Sequence, residues 1–304
     1  MEHKKILNVL ILILALSCVI VSLVIVQLYR EIYYLPDKSA DDIVKVLAES
    51  NITVDKSLVD TKRERGNVYV CSSGDYYETV AALLASSKVK YAFVIPDGEL
   101  VIMENGSRFE FGSGFSFRYA RNEEADNTRN DGFVFSELYE RPSKQKIDEI
   151  SAVVAEFMDR GSEEFKIGGS MDIATSVERV WEHDGKYYAI CSRSIGGVEV
   201  NDNRVFCTVE NGEVTAASGT WSFLTLGNSY SAQLCDSVNI LFNVKKELGT
   251  PQDRVVIEAI EQCYALYTYG DDEDLCLLPC YKVVTNNSGE LIYNAIDGTI
   301  YTRK

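Results

Sequence analysis

The pattern of apolar and polar positions opens on one unbroken block and then dissolves into short alternations. From Ile6 to Val26 the chain is apolar except at Asn8, Ser17, Cys18 and Ser22. A run of about 21 such residues spans the hydrocarbon of a bilayer as one helix. Lys4 and Lys5 precede it, and Tyr29, Tyr33 and Tyr34 follow it. Basic residues stay on the cytoplasmic side and tyrosines settle at the membrane interface. The predicted layout is therefore a cytoplasmic tail over 1–5, a transmembrane helix over 6–28, and the bulk of the chain outside. A single-pass location in the cell membrane follows, with no inner domain to receive a signal.

A cleaved secretory signal would have a shorter apolar core and an A-x-A-like site. Gln27-Leu28-Tyr29-Arg30 has no such small pair. Leu14-Ala15-Leu16-Ser17-Cys18 faintly resembles a lipobox, but the apolar run continues about two helical turns past Cys18. Within the span, Asn8, Ile11, Ala15, Cys18, Ser22 and Ile25 recur at three-then-four spacing, which is one helix face. Small residues let backbones approach in lipid, and polar groups bond across, so this face is the candidate seat for a partner helix.

Beyond the anchor the pattern alternates between helical and strand periods. Ser39-Ala40-Asp41-Asp42 has the form of a capping box opening a helix whose apolar face is Ile43, Val46 and Leu47. Asn67–Ser72 alternates as a strand, and Asp75 with Glu78 starts a helix to about residue 87. A meander follows: Tyr91–Ile95, Glu99–Met103, Arg108–Phe111 and Phe115–Tyr119, with Asp97-Gly98 and Asn105-Gly106 at turns. Asp-Gly and Asn-Gly between alternating runs are strong hairpin signals. Residues from Asn122 to Asp131 are polar and predict a loop.

A second block opens at Ser143 with a helix marked by Ile147, Ile150, Val153, Val154, Phe157 and Met158, stopping at Gly161. Hairpins are predicted at Asp184-Gly185, joining Ser176–His183 to Lys186–Ser194, and at Asn211-Gly212, joining Arg204–Glu210 to Glu213–Phe223. Two helices are then expected, Ser231–Leu248 and Pro251–Tyr267, the second because proline suits a first turn. Strands Tyr281–Thr285, Glu290–Asn294 and Thr299–Tyr301 close the chain. Helices and antiparallel hairpins in blocks predict an α+β fold. The expected organisation is two helix-plus-antiparallel-sheet units outside the membrane, over 36–135 and 136–304.

Composition narrows the chemistry. The net charge is −16, which opposes binding to nucleic acid or anionic lipid surfaces. Of the 8 cysteines, Cys18 lies in the span, which leaves an odd number outside. Cys207 falls in a strand alternation, and Cys263 would share a helix face with Val256, Ile260 and Tyr267; both suit reduced core thiols. Cys276 and Cys280 form the one candidate bridge or metal pair. With His183 the only histidine beyond the anchor, no closed zinc site is expected.

No HExxH, GxSxG, P-loop or GxGxxG occurs. Ser87/Lys90 and Ser143/Lys146 have the S-x-x-K spacing of penicillin-binding enzymes, but K-T-G and S-D-N are absent, and Ser143 is better placed as a helix N-cap. His183 beside Asp184 sits at a predicted hairpin tip with no nucleophile organised near it. Asp271-Asp272-Glu273-Asp274 offers oxygen ligands without EF-hand spacing. Asn51, Asn105 and Asn286 begin sequons, which matter only in a eukaryotic secretory context. The chain therefore reads as non-enzymatic, with no catalytic, metal or cofactor-binding residues.

Two segments carry a family resemblance. Lys4-Lys5-Ile6-Leu7 with the span, and Leu47-Ala48-Glu49-Ser50-Asn51-Ile52 after it, resemble the opening of the YycI family. Leu278-Pro279-Cys280-Tyr281-Lys282-Val283, followed by Tyr293-Asn294-Ala295-Ile296-Asp297-Gly298, is similar to that family's closing segment, and also to PepSY modules. Cys280 stands where the pattern usually has an aromatic after the proline. YycI proteins and the related YycH are membrane-anchored regulators of a cell-wall sensor kinase in Gram-positive bacteria. The resemblance implies no catalysis. Its implied partners are a sensor histidine kinase and a YycH-like paralogue, contacted through the transmembrane helix and the outer domain. The PepSY likeness implies instead a binding or inhibitory module for a secreted protease or cell-wall enzyme.

Overall fold

Apolar periodicity and turn chemistry place most elements where local physics puts them, and long-range pairing decides the others. A computed structural model describes residues 2–36, 38–62, 64–72, 77–122, 140–161, 173–223, 225–269, 274–287 and 289–301. The helices are α1 (Glu2–Tyr33), α2 (Lys38–Ala48), α3 (Tyr77–Ala85), α4 (Lys144–Arg160) and α5 (Ser237–Leu248). The first strands are β1 (Ile52–Val54), β2 (Arg65–Ser72), β3 (Val89–Ile95), β4 (Gly98–Met103), β5 (Arg108–Gly112) and β6 (Ser116–Ala120). Then come β7 (Ile173–His183), β8 (Lys186–Ile195), β9 (Val198–Glu210), β10 (Glu213–Thr220) and β11 (Thr225–Gln233). The last are β12 (Val255–Tyr269), β13 (Asp274–Thr285) and β14 (Gly289–Asn294). The fold is α+β, with a large, mostly antiparallel sheet and one N-terminal apolar helix.

Two compact units are distinguished, each assembled from separated stretches. The first takes Met1–Gly66, Ser231–Glu261 and Cys280–Lys304. Here β1 runs parallel to the start of β12, Ile52 beside Val255, and β13 pairs antiparallel with β14, Tyr281 beside Tyr293. Ile43 and Leu47 of α2 and Ile240, Leu241 and Val244 of α5 are buried in one cluster with Ile52, Val255, Ile257, Val283 and Tyr293. The helices thus cover one face of these strands, the usual way an α+β layer closes its core. Asp236 caps α5 by accepting from the Asn239 N–H at 2.9 Å.

The second unit takes Asn67–Tyr230 and Gln262–Pro279. A meander runs β3, β4, β5, β6, then β10, β9, β8 and β7, each pair antiparallel. Tight turns drive it. Asp184 and Gly185 have φ of 51° and 73°, and Asn211 and Gly212 have 54° and 79°. Two successive positive φ values are the type I′ geometry that matches strand twist. Gly196 and Gly197, at 58° and 81°, make a third such turn. It starts β9 at Val198, whereas the sequence pattern predicts a strand only from Arg204. The core gathers Phe109, Phe111, Phe117, Tyr119 and Phe223 against α3 and α4, with the Tyr119 and Phe157 rings 4.9 Å apart. Ser143 caps α4, its hydroxyl accepting from the Lys146 N–H at 3.3 Å, and Gly161 ends the helix.

Several expectations are corrected. Pro251–Tyr267 is not a helix: residues 255–269 form β12. The segment is rich in Val, Ile, Tyr and Thr, which pack well on a pleated surface. Its start finds a parallel partner in β1, and residues 263–264 find another in β9. Cys263 therefore sits on a strand, buried. The helix expected from Ser231 begins at Ser237, because β11 continues to Gln233. Ser39 lies inside α2 rather than before it, and Asp41 reaches Lys56 at 2.7 Å. Strand β13 begins at Asp274, not Tyr281, because residues 275–277 pair with β2. The expected strand at Thr299–Tyr301 is a single bridge between Ile300 and Tyr293. Asp75, the loop over 123–131 and the boundary expected between 135 and 136 lie outside the described residues.

Candidate functional site

The longest exposed apolar run among the described residues belongs to α1. The window Ile13–Arg30 is long and apolar enough to cross a membrane, and none of it is buried inside the molecule. Leu14, Val21, Leu23 and Ile25 are each more than half exposed, so apolar surface points all round the helix. A helix apolar on every side needs an apolar medium or other helices.

Of the six residues on the candidate face, Ala15, Cys18, Ser22 and Ile25 are described, and all are exposed. Asn8 and Ile11 lie on the same helix, but their side chains fall outside the described residues. The Ser22 hydroxyl donates to the Cys18 carbonyl at 2.8 Å. This bond back to the preceding turn satisfies the hydroxyl within its own helix. The face can therefore offer close approach at Ala15 and Cys18 without a polar cost at Ser22.

The end of α1 is tied directly to the first unit. Tyr34 bridges to Lys62, the Leu35 N–H donates to the Thr61 carbonyl at 2.9 Å, and Leu35 packs against the α2–α5 core. Glu64 holds the Lys62 ammonium at 2.9 Å and raises its pKa. No long tether intervenes between the apolar helix and the folded unit.

The other sequence candidates do not assemble a reaction centre among the described residues. Ser143 is used as a cap. The Lys146 ammonium pairs with Glu149 at 2.8 Å and lies 5.0 Å from the Tyr187 ring centre. Glu149 raises the Lys146 pKa, the wrong direction for a general base. Ser87 follows α3, and Lys90 lies over the Tyr91 ring. His183 Nε2 is 3.3 Å from Asp184 at the hairpin tip. Cys276 and Cys280 are not in a disulfide and stand four residues apart on one strand. That spacing is about 13 Å, beyond the Cα separation of a disulfide. Among the described residues, no group of three or more His, Cys, Asp or Glu is placed to hold a metal. Asp271, Asp272 and Glu273 lie outside the described residues.

One buried polar cluster in the second unit leaves only a faint mark in the sequence. Arg193 is 3% exposed and donates through Nη1 to the Ser222 carbonyl. Asn203 Oδ1 accepts from the Ser222 N–H at 2.6 Å and from its hydroxyl at 2.8 Å. Burial pulls the Arg193 pKa down to about 10. Its Nε–H and the Trp221 indole N–H find no partner. The mark is Arg193 soon after the run Ala189-Ile190-Cys191, where a strand covered on both sides leaves a charge no route to solvent.

No protein-family model matches the chain. No curated protein matches it either. Among solved structures it is similar to an uncharacterized protein from Eubacterium rectale ATCC 33656. The identity is 9% and the TM-score 0.49, over 87% of this chain and 99% of that one.

Proposed function

We propose that this chain is a non-enzymatic, membrane-anchored regulator of a two-component sensor histidine kinase. It acts through contacts made by its transmembrane helix and by two α+β units outside the membrane. The observation that carries the reading is the apolar window Ile13–Arg30, no part of which is covered by the rest of the molecule. Lys4 and Lys5 orient it with the N-terminus in the cytoplasm.

The mechanism is differential contact. A sensor kinase's helix bundle has two packings, and a helix alongside it favours whichever packing it touches better. A polar contact between helices in lipid is worth about 0.6–2 kcal/mol, and about 1.4 kcal/mol shifts a two-state ratio tenfold. The direct tie of Tyr34 and Leu35 to the folded unit lets a load on that unit reach the helix.

A PepSY-like inhibitory module is the second reading. It is favoured by the closing segments meeting in one hairpin, Cys280 beside Asn294 and Tyr281 beside Tyr293, with Tyr293 and Ala295 buried. Replacing residues 6–26 by polyleucine separates the two. Loss of the effect on kinase output, with membrane attachment retained, supports the regulator. Retained kinase control sinks helix-mediated regulation, and inhibition of a secreted protease by the swapped protein supports the module. Gentle solubilisation and pulldown of the full chain is expected to recover a histidine kinase.

A further inference from the structure

Strand β3 ends the meander, and among the described residues it pairs only with β4. Its outer edge therefore offers unpaired backbone groups, the template on which another strand adds. Other edges are blunted. Strand β7 has its outer edge bridged by Glu140 at Glu182 and carries Glu178, Arg179 and Glu182 along it, whereas the register break of β3, at Val89/Tyr91, lies before its exposed apolar run. Strand β11 is mostly polar, reading TLGNSYSAQ. Strand β3 instead exposes Tyr91, Ala92, Phe93 and Val94 in succession, Val94 at 92%. Four exposed apolar residues on an open edge are what soluble folds avoid unless a partner covers them.

We infer that a second copy of this chain pairs with β3, antiparallel, about a twofold axis at Ala92. Charge selects both the partner and the direction. Lys88 and Lys90 stand at the start of the strand and Asp97 just past its end, all exposed. Antiparallel self-pairing brings each start to the other copy's end, whereas parallel pairing would set like charges side by side. The register at Ala92 also matches side chains. On one face Tyr91 of each copy opposes Phe93 of the other, extending the ring pair already 6.0 Å apart within the strand. On the opposite face Ala92 meets itself, and the Lys90 stem lies along Val94. Such a contact is isologous and closes as a dimer. It stands apart from the regulatory reading, since it uses no residue of α1.

Disulfide trapping tests it in the full-length protein, in membranes, with Cys18→Ser to silence the span. Ala92→Cys is expected to form a disulfide-linked dimer of two copies under copper phenanthroline. Mixed Lys90→Cys and Val94→Cys proteins are expected to link to each other. Val94→Cys alone is expected to link about tenfold more slowly, because it lies four residues, about 13 Å, along the strand from its own copy. Equal rates at positions 92 and 94 overturn the register. Linkage of Ala92→Cys to a different protein, or a monomer by native mass spectrometry with no linked product, overturns the self-pairing.

Discussion

Asn51 shows how one residue can join distant parts of the first unit. It holds a φ of 61° after α2, and its amide donates to the carbonyls of Pro251 and Gln252, each at 3.2 Å. Its own carbonyl accepts from the Val255 N–H at 3.1 Å, where β12 begins. Alanine loses the side-chain bonds and strains the left-handed backbone, whereas glycine loses only the bonds. Asn51→Ala is expected to lower stability more than Asn51→Gly, by about 1 kcal/mol in urea unfolding. Cys71 sets a pH response. Burial raises its thiol from 9.0 to about 11, so the fold keeps the proton that the unfolded chain loses. Its contribution is complete below pH 9 and fades as the pH rises towards 11, by about 1.4 kcal/mol for each pH unit crossed. Cys71→Ala is expected to flatten the fall in unfolding midpoint across that window.

At the level of elements, the helices obey their caps and the strands obey their neighbours. Ser143 closes the first turn of α4, and Ser143→Ala is expected to cost about 1 kcal/mol, with Asp restoring most of it. Circular dichroism during denaturant unfolding reads both. The same helix is legible in the sequence because Ser143, the apolar spacing from Ile147 to Met158 and Gly161 are all local signals. Strand β12 is not legible in that way. Pro251 and the apolar residues after it fit a helix start as well as a strand, and the deciding partners, β1 and β9, are far away in sequence. Local propensity is a weak prior that tertiary pairing overrides. Strand β9 exceeds its expected length for a different reason: Gly196-Gly197 is itself a turn signal, and the strand starts directly after it.

For the whole molecule, the two folded units take their cores from residues outside the apolar window of α1. Among the described residues the buried positions of the first unit begin at Ala40, and the window Ile13–Arg30 contributes none. Deleting residues 1–31 is therefore expected to leave the thermal midpoint of the remainder nearly unchanged, as read by circular dichroism. A large drop would show that α1 packs on the folded part. None of the eight cysteines is in a disulfide, so a reductant is expected to leave that midpoint unmoved, because no covalent loop restrains the unfolded chain. The sequence by itself determined the apolar N-terminal helix, the capped helix α4 and the Asp-Gly and Asn-Gly hairpins. Each of these is encoded within a few turns or a few residues, where spacing and backbone preference act directly. Only the tertiary structure decided that residues 255–269 are a strand, that Arg193 is buried beside Ser222, and that β3 is left, among the described residues, as an open apolar edge. Those outcomes depend on which distant segments meet, and no local period records that choice.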